Sequence, residues 1–188
     1  VRRSVSSDGG ASWQSANFGL LDVEILCLAC APDFTESEVV WAGSANGGLY
    51  RSRNAGRAWR EAGQGLPDAA VQCIVVTESG VFAGTESGLF RLADGATWLP
   101  DGLEGLEVND LIACDDALLA GTTQGVFRNE HKKWQATDVQ EPTLALAGIA
   151  NGVILGGSVR EGIWRSADGG RTWQPFAAGL NVESFISL

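Results

Sequence analysis

The chain has 188 residues, 45% of them hydrophobic, with 25 Gly, 5 Pro and a formal net charge of −10. A surface this acidic repels phosphate backbones, which argues against a nucleic-acid partner, and no apolar run approaches the ~18 residues of a membrane span. The glycines form no low-complexity tract, so they read as turn positions in one folded domain or a short repeat array.

In chain order, residues 1–16 offer two short strand segments around the turn Ser6-Ser-Asp-Gly-Gly-Ala-Ser-Trp13. The apolar run Ile25-Leu-Cys-Leu-Ala-Cys30 follows and reads as a strand. Its Cys27 and Cys30 have the spacing of a zinc or redox pair. Residues three apart on a strand point to opposite faces, however, and no second pair completes a four-ligand site. Cys27, Cys30, Cys73 and Cys114 are therefore expected to be buried, inert thiols, and no metal or other cofactor is expected.

The next unit is the clearest: strands over Val71–Val76, Val81–Thr85 and Leu89–Leu92, with a fourth beginning near Trp98. Short turns of Gly, Asp, Asn and Ser separate them, as hairpins require. Similar units cover 23–62, 107–137 and 143–176. The end of the chain, Val182-Glu-Ser-Phe-Ile-Ser-Leu188, resembles another first strand. No amphipathic pattern of ten or more residues predicts a helix.

These units are copies of one another. Trp13, Trp59, Trp98, Trp134 and Trp173 stand 46, 39, 36 and 39 residues apart. Upstream of the last four, Gly48-Leu-Tyr-Arg51, Gly88-Leu-Phe-Arg91, Gly125-Val-Phe-Arg128 and Gly162-Ile-Trp-Arg165 match position for position. Downstream, Gly19-Leu20, Gly65-Leu66, Gly102-Leu103 and Gly179-Leu180 recur. Four short antiparallel strands at this period predict an all-β β-propeller. About five blades are expected, four complete and one shared by the termini (1–16 with 182–188), in a single domain over 1–188. That shared blade lacks its second strand, so either the ends close imperfectly or the chain is a slice of a larger propeller of six to eight blades.

The turns before the tryptophans carry a family resemblance. Ser6 to Trp13 and Ser166-Ala-Asp-Gly-Gly-Arg-Thr-Trp173 resemble the Asp-box, or BNR repeat, Ser-x-Asp-x-Gly-x-Thr-Trp. Ser52-Arg-Asn-Ala-Gly-Arg-Ala-Trp59 is near it, with Asn54 for the acid, and decayed copies end at Trp98, after Asp94, and at Trp134. The resemblance covers essentially the whole chain. It implies a propeller similar to those of sialidases, xyloglucan-cleaving glycosidases, sortilin-type receptors and photosystem II assembly factors. Enzymes and scaffolds share that fold, so function must be read from sites. Within the box, Asp8, Asn54, Asp94 and Asp168 are expected to accept turn N–H groups, and the tryptophans to pack between sheets.

The residues needed for the enzymes of this group are not matched. Sialidase chemistry, as the resemblance implies, uses a tyrosine nucleophile and three converging arginines. The only tyrosine, Tyr50, shares its repeat position with Phe90, Phe127 and Trp164, so it reads as a core aromatic. Arg51, Arg91, Arg128 and Arg165 also share one repeat position and are spread across the units. Glycosidases need two carboxylates facing one cleft. Asp110 is the acid to watch, because its counterpart in the inner-strand run is Cys73. His131 is the sole histidine, which excludes histidine-based triads.

The expected function is a non-catalytic binding or assembly scaffold with a protein or glycan partner. The alternative is a module of a glycoside hydrolase, sialidase-like or xyloglucanase-like. The binding surface is expected at the blade ends opposite the boxes. These carry the variable turns Ala45-Asn46, Glu86-Ser87, Thr123-Gln124 and Val159-Arg160-Glu161, and the links with Asp22, Asp68, Glu104, Glu107 and Glu141. Glu86, Glu107 and Arg160 are the candidate ligand contacts. The basic residues show no adjacent runs beyond Arg2-Arg3 and Lys132-Lys133.

Overall fold

A computed structural model describes residues 4–22, 24–115, 117–149 and 151–176. Its strands are β1 (Ser4–Val5), β2 (Gln14–Ser15), β3 (Ile25–Cys30), β4 (Val40–Ser44), β5 (Leu49–Ser52) and β6 (Arg60–Glu61). They continue with β7 (Val71–Thr77), β8 (Gly80–Thr85), β9 (Gly88–Ala93), β10 (Thr97–Pro100), β11 (Val108–Cys114) and β12 (Ala117–Thr122). The remainder are β13 (Gly125–Glu130), β14 (Lys133–Ala136), β15 (Thr143–Gly148), β16 (Ile154–Ser158), β17 (Ile163–Ser166) and β18 (Gln174–Pro175). Each successive set of four from β3 onward forms one antiparallel sheet in sequence order, and β1 pairs with β2 alone. The protein is an all-β propeller chain of four-stranded blades. The expected strand at Val182–Leu188 lies outside the described residues.

Two features were not anticipated. A four-residue helix, α1 (Phe34–Ser37), sits in the connection from β3 to β4. The first strand of a blade also carries a repeated irregularity. Register slips between Ile25 and Cys27, between Val108 and Asp110, and between Thr143 and Ala145. One extra residue there kinks the strand and raises its local twist. Cys27, Asp110 and Ala145 thus occupy one structural position.

The chain divides into two compact units, Val1–Ala83 with Phe90–Pro100, and Gly84–Leu89 with Asp101–Leu188. In the first, Trp41, Leu49, Val71, Ala83, Phe90 and Trp98 form the core, and Ala42, Tyr50 and Trp59 form a second cluster. Trp41 and Trp98 meet edge to face at 6.0 Å. In the second, Leu119, Val126, Val139, Leu146, Ile154 and Trp173 pack together.

The recurrent Gly-Leu pairs have a steric cause. Gly65 has φ +95°, and a Cβ there would lie 2.4 Å from the main-chain oxygen of Trp98 in the following repeat. At Gly19 the same contact to Trp59 would be 2.1 Å. Only glycine tolerates both the positive φ and the approach of the next blade's backbone.

The cysteine expectation needs correction. β3 alternates half-buried and exposed residues, so Cys27 and Cys30 do face opposite ways. None of the four cysteines is in a disulfide, but only Cys73 is buried; Cys30 is exposed and Cys27 and Cys114 are half-buried. Leu26 and Leu28 are exposed on the same face as Cys30, so this end of the repeat lacks the cover that hydrophobic pattern alone implied.

Candidate functional site

The box turns are closed by their own side chains. In the last repeat, Asp168 Oδ1 accepts from the Arg171 and Thr172 amides at 3.0 Å each and from the Ser166 hydroxyl at 2.8 Å. Its Oδ2 takes the Thr172 hydroxyl at 2.7 Å. Burial alone would raise the Asp168 pKa, but these donors override it and hold the carboxyl well below its ordinary value. Asp8 repeats the pattern with Ser12 and Ser6, chiefly through the Ser12 hydroxyl, and its pKa is lowered to about 2. Asn54 does the same with its amide oxygen, accepting from Ser52 and from the Ala58 amide. Asp94, in a decayed turn, keeps a single bond from the Thr97 amide.

The tryptophans divide into two groups. Trp59, Trp98 and Trp134 donate their indole N–H to Ala16, Ala62 and Asp101 carbonyls in the preceding repeat. Trp13 and Trp173 donate instead to Gly10 and Gly170 of their own turns. Trp173 is buried in its unit's core, but Trp13 is 64% exposed, contrary to the packing expected of every box tryptophan. The reason is positional: burial of this ring comes from other repeats, and its own hairpin β1–β2 supplies only two-residue strands.

The third-strand arginines also act as struts. Arg128 is buried, donates Nε–H to Gly169 O at 2.8 Å in the next box turn, and ion-pairs with Glu130. Arg51 reaches the equivalent Gly95 O at 3.5 Å and stacks on Trp41, 5.2 Å from the ring centroid. Arg165 stacks on Phe176. Tyr50 is buried, and its hydroxyl accepts the Asp22 amide at 3.1 Å. Burial raises its pKa, the opposite of activation.

Asp110 is half-buried between inner strands. Its Oδ1 accepts the Leu111 amide at 2.8 Å, and Oδ2 accepts the Leu146 amide on β15 at 2.7 Å. Desolvation nevertheless raises its pKa. Cys27, in the same structural position, sends its thiol toward Val71 O at 3.6 Å. The position serves as an inter-strand tie. Among the described residues no cluster of three or more His, Cys, Asp or Glu could hold a metal ion.

At the opposite blade ends, turns and links share hydrogen bonds. The amides of Ala45, Thr123 and Val159 donate to Glu24, Glu107 and Pro142 carbonyls. Glu86 and Arg160 are exposed and Glu107 is half-buried. The Gly105 amide donates to Ser87 O, which places the Glu86 turn beside the link carrying Glu107. Arg160 occupies the corresponding turn of the last blade. Asp22, named among the variable link residues, is a structural tie: it accepts the Glu24 amide and both nitrogens of Asn46, and its pKa falls to about 2, first through the Glu24 amide.

One feature escaped the sequence reading. Four of the thirteen basic residues, Arg51, Arg53, Arg57 and Arg60, fall within ten positions that contain no acid. The search for adjacent basic pairs passes over them, because strand residues that share a face are two apart.

No protein-family model and no curated protein sequence matches the chain. Solved structures do. The extracellular domain of BT4673 from B. thetaiotaomicron is similar over 86% of this chain and 23% of its own, at 21% identity and TM-score 0.69. The GH74 xyloglucanase from Xanthomonas campestris is similar over 80% and 29%, at 20% identity and TM-score 0.64. YCF48, in a structure bound to D1 peptide, is similar over 91% and 59%, at 18% identity and TM-score 0.66. The chain therefore spans less than two thirds of each of these proteins, and at such identities the likeness is one of fold: it is a β-propeller module.

Proposed function

We propose that the chain is a non-catalytic binding or assembly scaffold, a single propeller domain of Asp-box repeats over 1–188, whose partner is a protein or a glycan. The carrying observation is a division of labour. Box side chains are engaged in closing their own turns, whereas Glu86 and Arg160 stand exposed on turns that vary among otherwise matching repeats. Recognition built there leaves the fold undisturbed. The peptide held by YCF48, a similar propeller, supports a protein partner.

The competing reading, a glycoside hydrolase module, needs an acid and a base facing one cleft. Asp110 has both oxygens committed to backbone amides. The test is a pull-down comparing the wild-type chain with a Glu86→Ala, Glu107→Ala, Arg160→Ala triple variant. Loss of partners from the variant alone is expected. Equal recovery by both overturns the assignment.

A further inference from the structure

Within the first compact unit a groove of about 560 Å³ runs beside β5 and β6, from the Gly47-Gly48 turn to the Gly95-Ala96 turn. Its walls include Trp41, Arg51, Glu61, Gln64 and Leu92, so it carries one acid beside its one arginine, and several stretches are bare main chain at glycines. Outer strand β6, like β18, has only two residues, and the main chain after it is held within the unit: the Ala62 amide donates to Leu49 O, and the Ala62, Gly63 and Gln64 carbonyls accept from the Trp98 indole and from the Leu66 and Trp98 amides.

Arg51 is half-buried in this groove with one face on the Trp41 ring. Its pKa is lowered, first by burial and then by the charge of Arg53. Among the described residues no carboxylate lies within ion-pair distance of it. The repeat shows what is missing. Arg128, in the same position, has an acid two residues on, Glu130, and pairs with it. Two residues after Arg51 stands Arg53. Glu61 cannot substitute, because it registers opposite Tyr50, while Arg51 registers opposite Arg60. Arg51, Arg53 and Arg60 thus leave a positive strip on an acidic protein; among the described residues, Arg57 alone of the four is ion-paired, to Glu38.

We propose that this groove is a binding site for an extended acidic peptide segment, with Arg51 receiving an Asp or Glu carboxylate of the ligand. With one nitrogen on Gly95 O, the remaining guanidinium N–H groups can meet a carboxylate in a forked pair, and Trp41 holds the plane in place. The wall lined by Gly47, Gly48, Gly63 and Gly95 leaves room for a peptide backbone beside Arg51. Glu86, Glu107 and Arg160 are not among the residues that line it.

The test is fluorescence anisotropy with the full chain and a labelled, terminally blocked Asp/Glu-rich decapeptide at low salt. Its Asn/Gln counterpart, an oligoglucuronate and an oligophosphate serve as comparison ligands. Binding of the acidic peptide at least tenfold tighter than any comparison ligand is expected. Arg51→Gln should weaken it at least tenfold, Arg51→Lys by less, and Arg91→Gln, on an exposed position, should leave it unchanged. Should Arg51→Gln fail to fold, Ala96→Glu places an acid on the exposed groove wall and should abolish binding. The triple loop variant should bind the peptide normally. Equal binding of the amide peptide, the glucuronate or the phosphate, no binding at all, or wild-type affinity in Arg51→Gln or folded Ala96→Glu overturns the proposal.

Discussion

The indole N–H of Trp59 donates to the main-chain oxygen of Ala16, at 3.0 Å and 43 residues away in sequence. The donor belongs to one repeat and the acceptor to the one before it. Trp98 with Ala62 and Trp134 with Asp101 repeat the arrangement. A tryptophan that closes a turn is therefore also a fastener between neighbouring repeats, which gives the 36- to 46-residue period an energetic purpose.

Trp98 is 1% exposed and Trp13 is 64% exposed. Trp98→Ala should cost about 3–5 kcal/mol through the cavity and the freed Ala62 carbonyl. Trp13→Ala should cost less than about 0.5 kcal/mol, as surface substitutions do. Urea unfolding of both variants checks this, and equal losses would remove the distinction between the two groups of rings.

The glycines that receive these tryptophans make a sharper comparison. Gly65→Ala would drive a Cβ to within 2.4 Å of Trp98 O, so the backbone must move. Gly105 has a similar positive φ of +76° but nothing within 4 Å of its added carbon. Gly105→Ala should cost about 1 kcal/mol, for the left-handed backbone alone, and Gly65→Ala clearly more. Differential scanning calorimetry would separate them.

Much of this was legible in the sequence, because the repeat copies its turn chemistry. Ser-x-Asp spacing, Gly before the third strand, and Trp at the start of the fourth are local requirements, so they recur as letters. What failed depended on partners about 40 residues away. Trp13 carries the same local signature as Trp173, yet only Trp173 sits in a core. Asp110 gave no hint that Leu146 would donate to it. The arginine strip was visible in principle: an arginine where another repeat has the glutamate of an ion pair is a charge reversal, detectable once repeats are aligned on Arg128 and Glu130.

Asp110 carries a burial-raised pKa while accepting two amides. A carboxyl whose folded pKa is raised favours the fold while protonated, and that contribution is lost as pH rises through the folded value. Asp110→Asn keeps an acceptor and removes the charge, so its stability should decline less than wild type as pH rises above about 4. Asp110→Ala leaves both amides unpaired and should cost about 1–3 kcal/mol. Neither substitution should alter turnover of sialosides or β-glucans, because none is expected from the wild-type chain. Turnover that vanishes with Asp110→Asn would instead establish a glycosidase.

Asp168 titrates in the opposite sense. Its folded pKa lies below the ordinary value, because amide and hydroxyl donors from Arg171, Thr172 and Ser166 outweigh the effect of burial. A depressed carboxyl stabilises the fold above its unfolded pKa of about 4, and loses that contribution as pH falls toward the folded value. Asp168→Asn retains an oxygen for the turn amides but not the charge, and Asn54 shows that this suffices to close a box. The variant should fold at neutral pH with a small loss of stability and should show a shallower decline than wild type between pH 4 and pH 2. Asp168→Ala removes every acceptor and should cost about 1–2 kcal/mol at pH 7, with the same shallow acid limb. Thermal melts across that range decide it. A variant that tracks wild type below pH 4 would place the acid sensitivity in other carboxyls, Asp8 and Asp22 first, since both also have pKa values lowered to about 2.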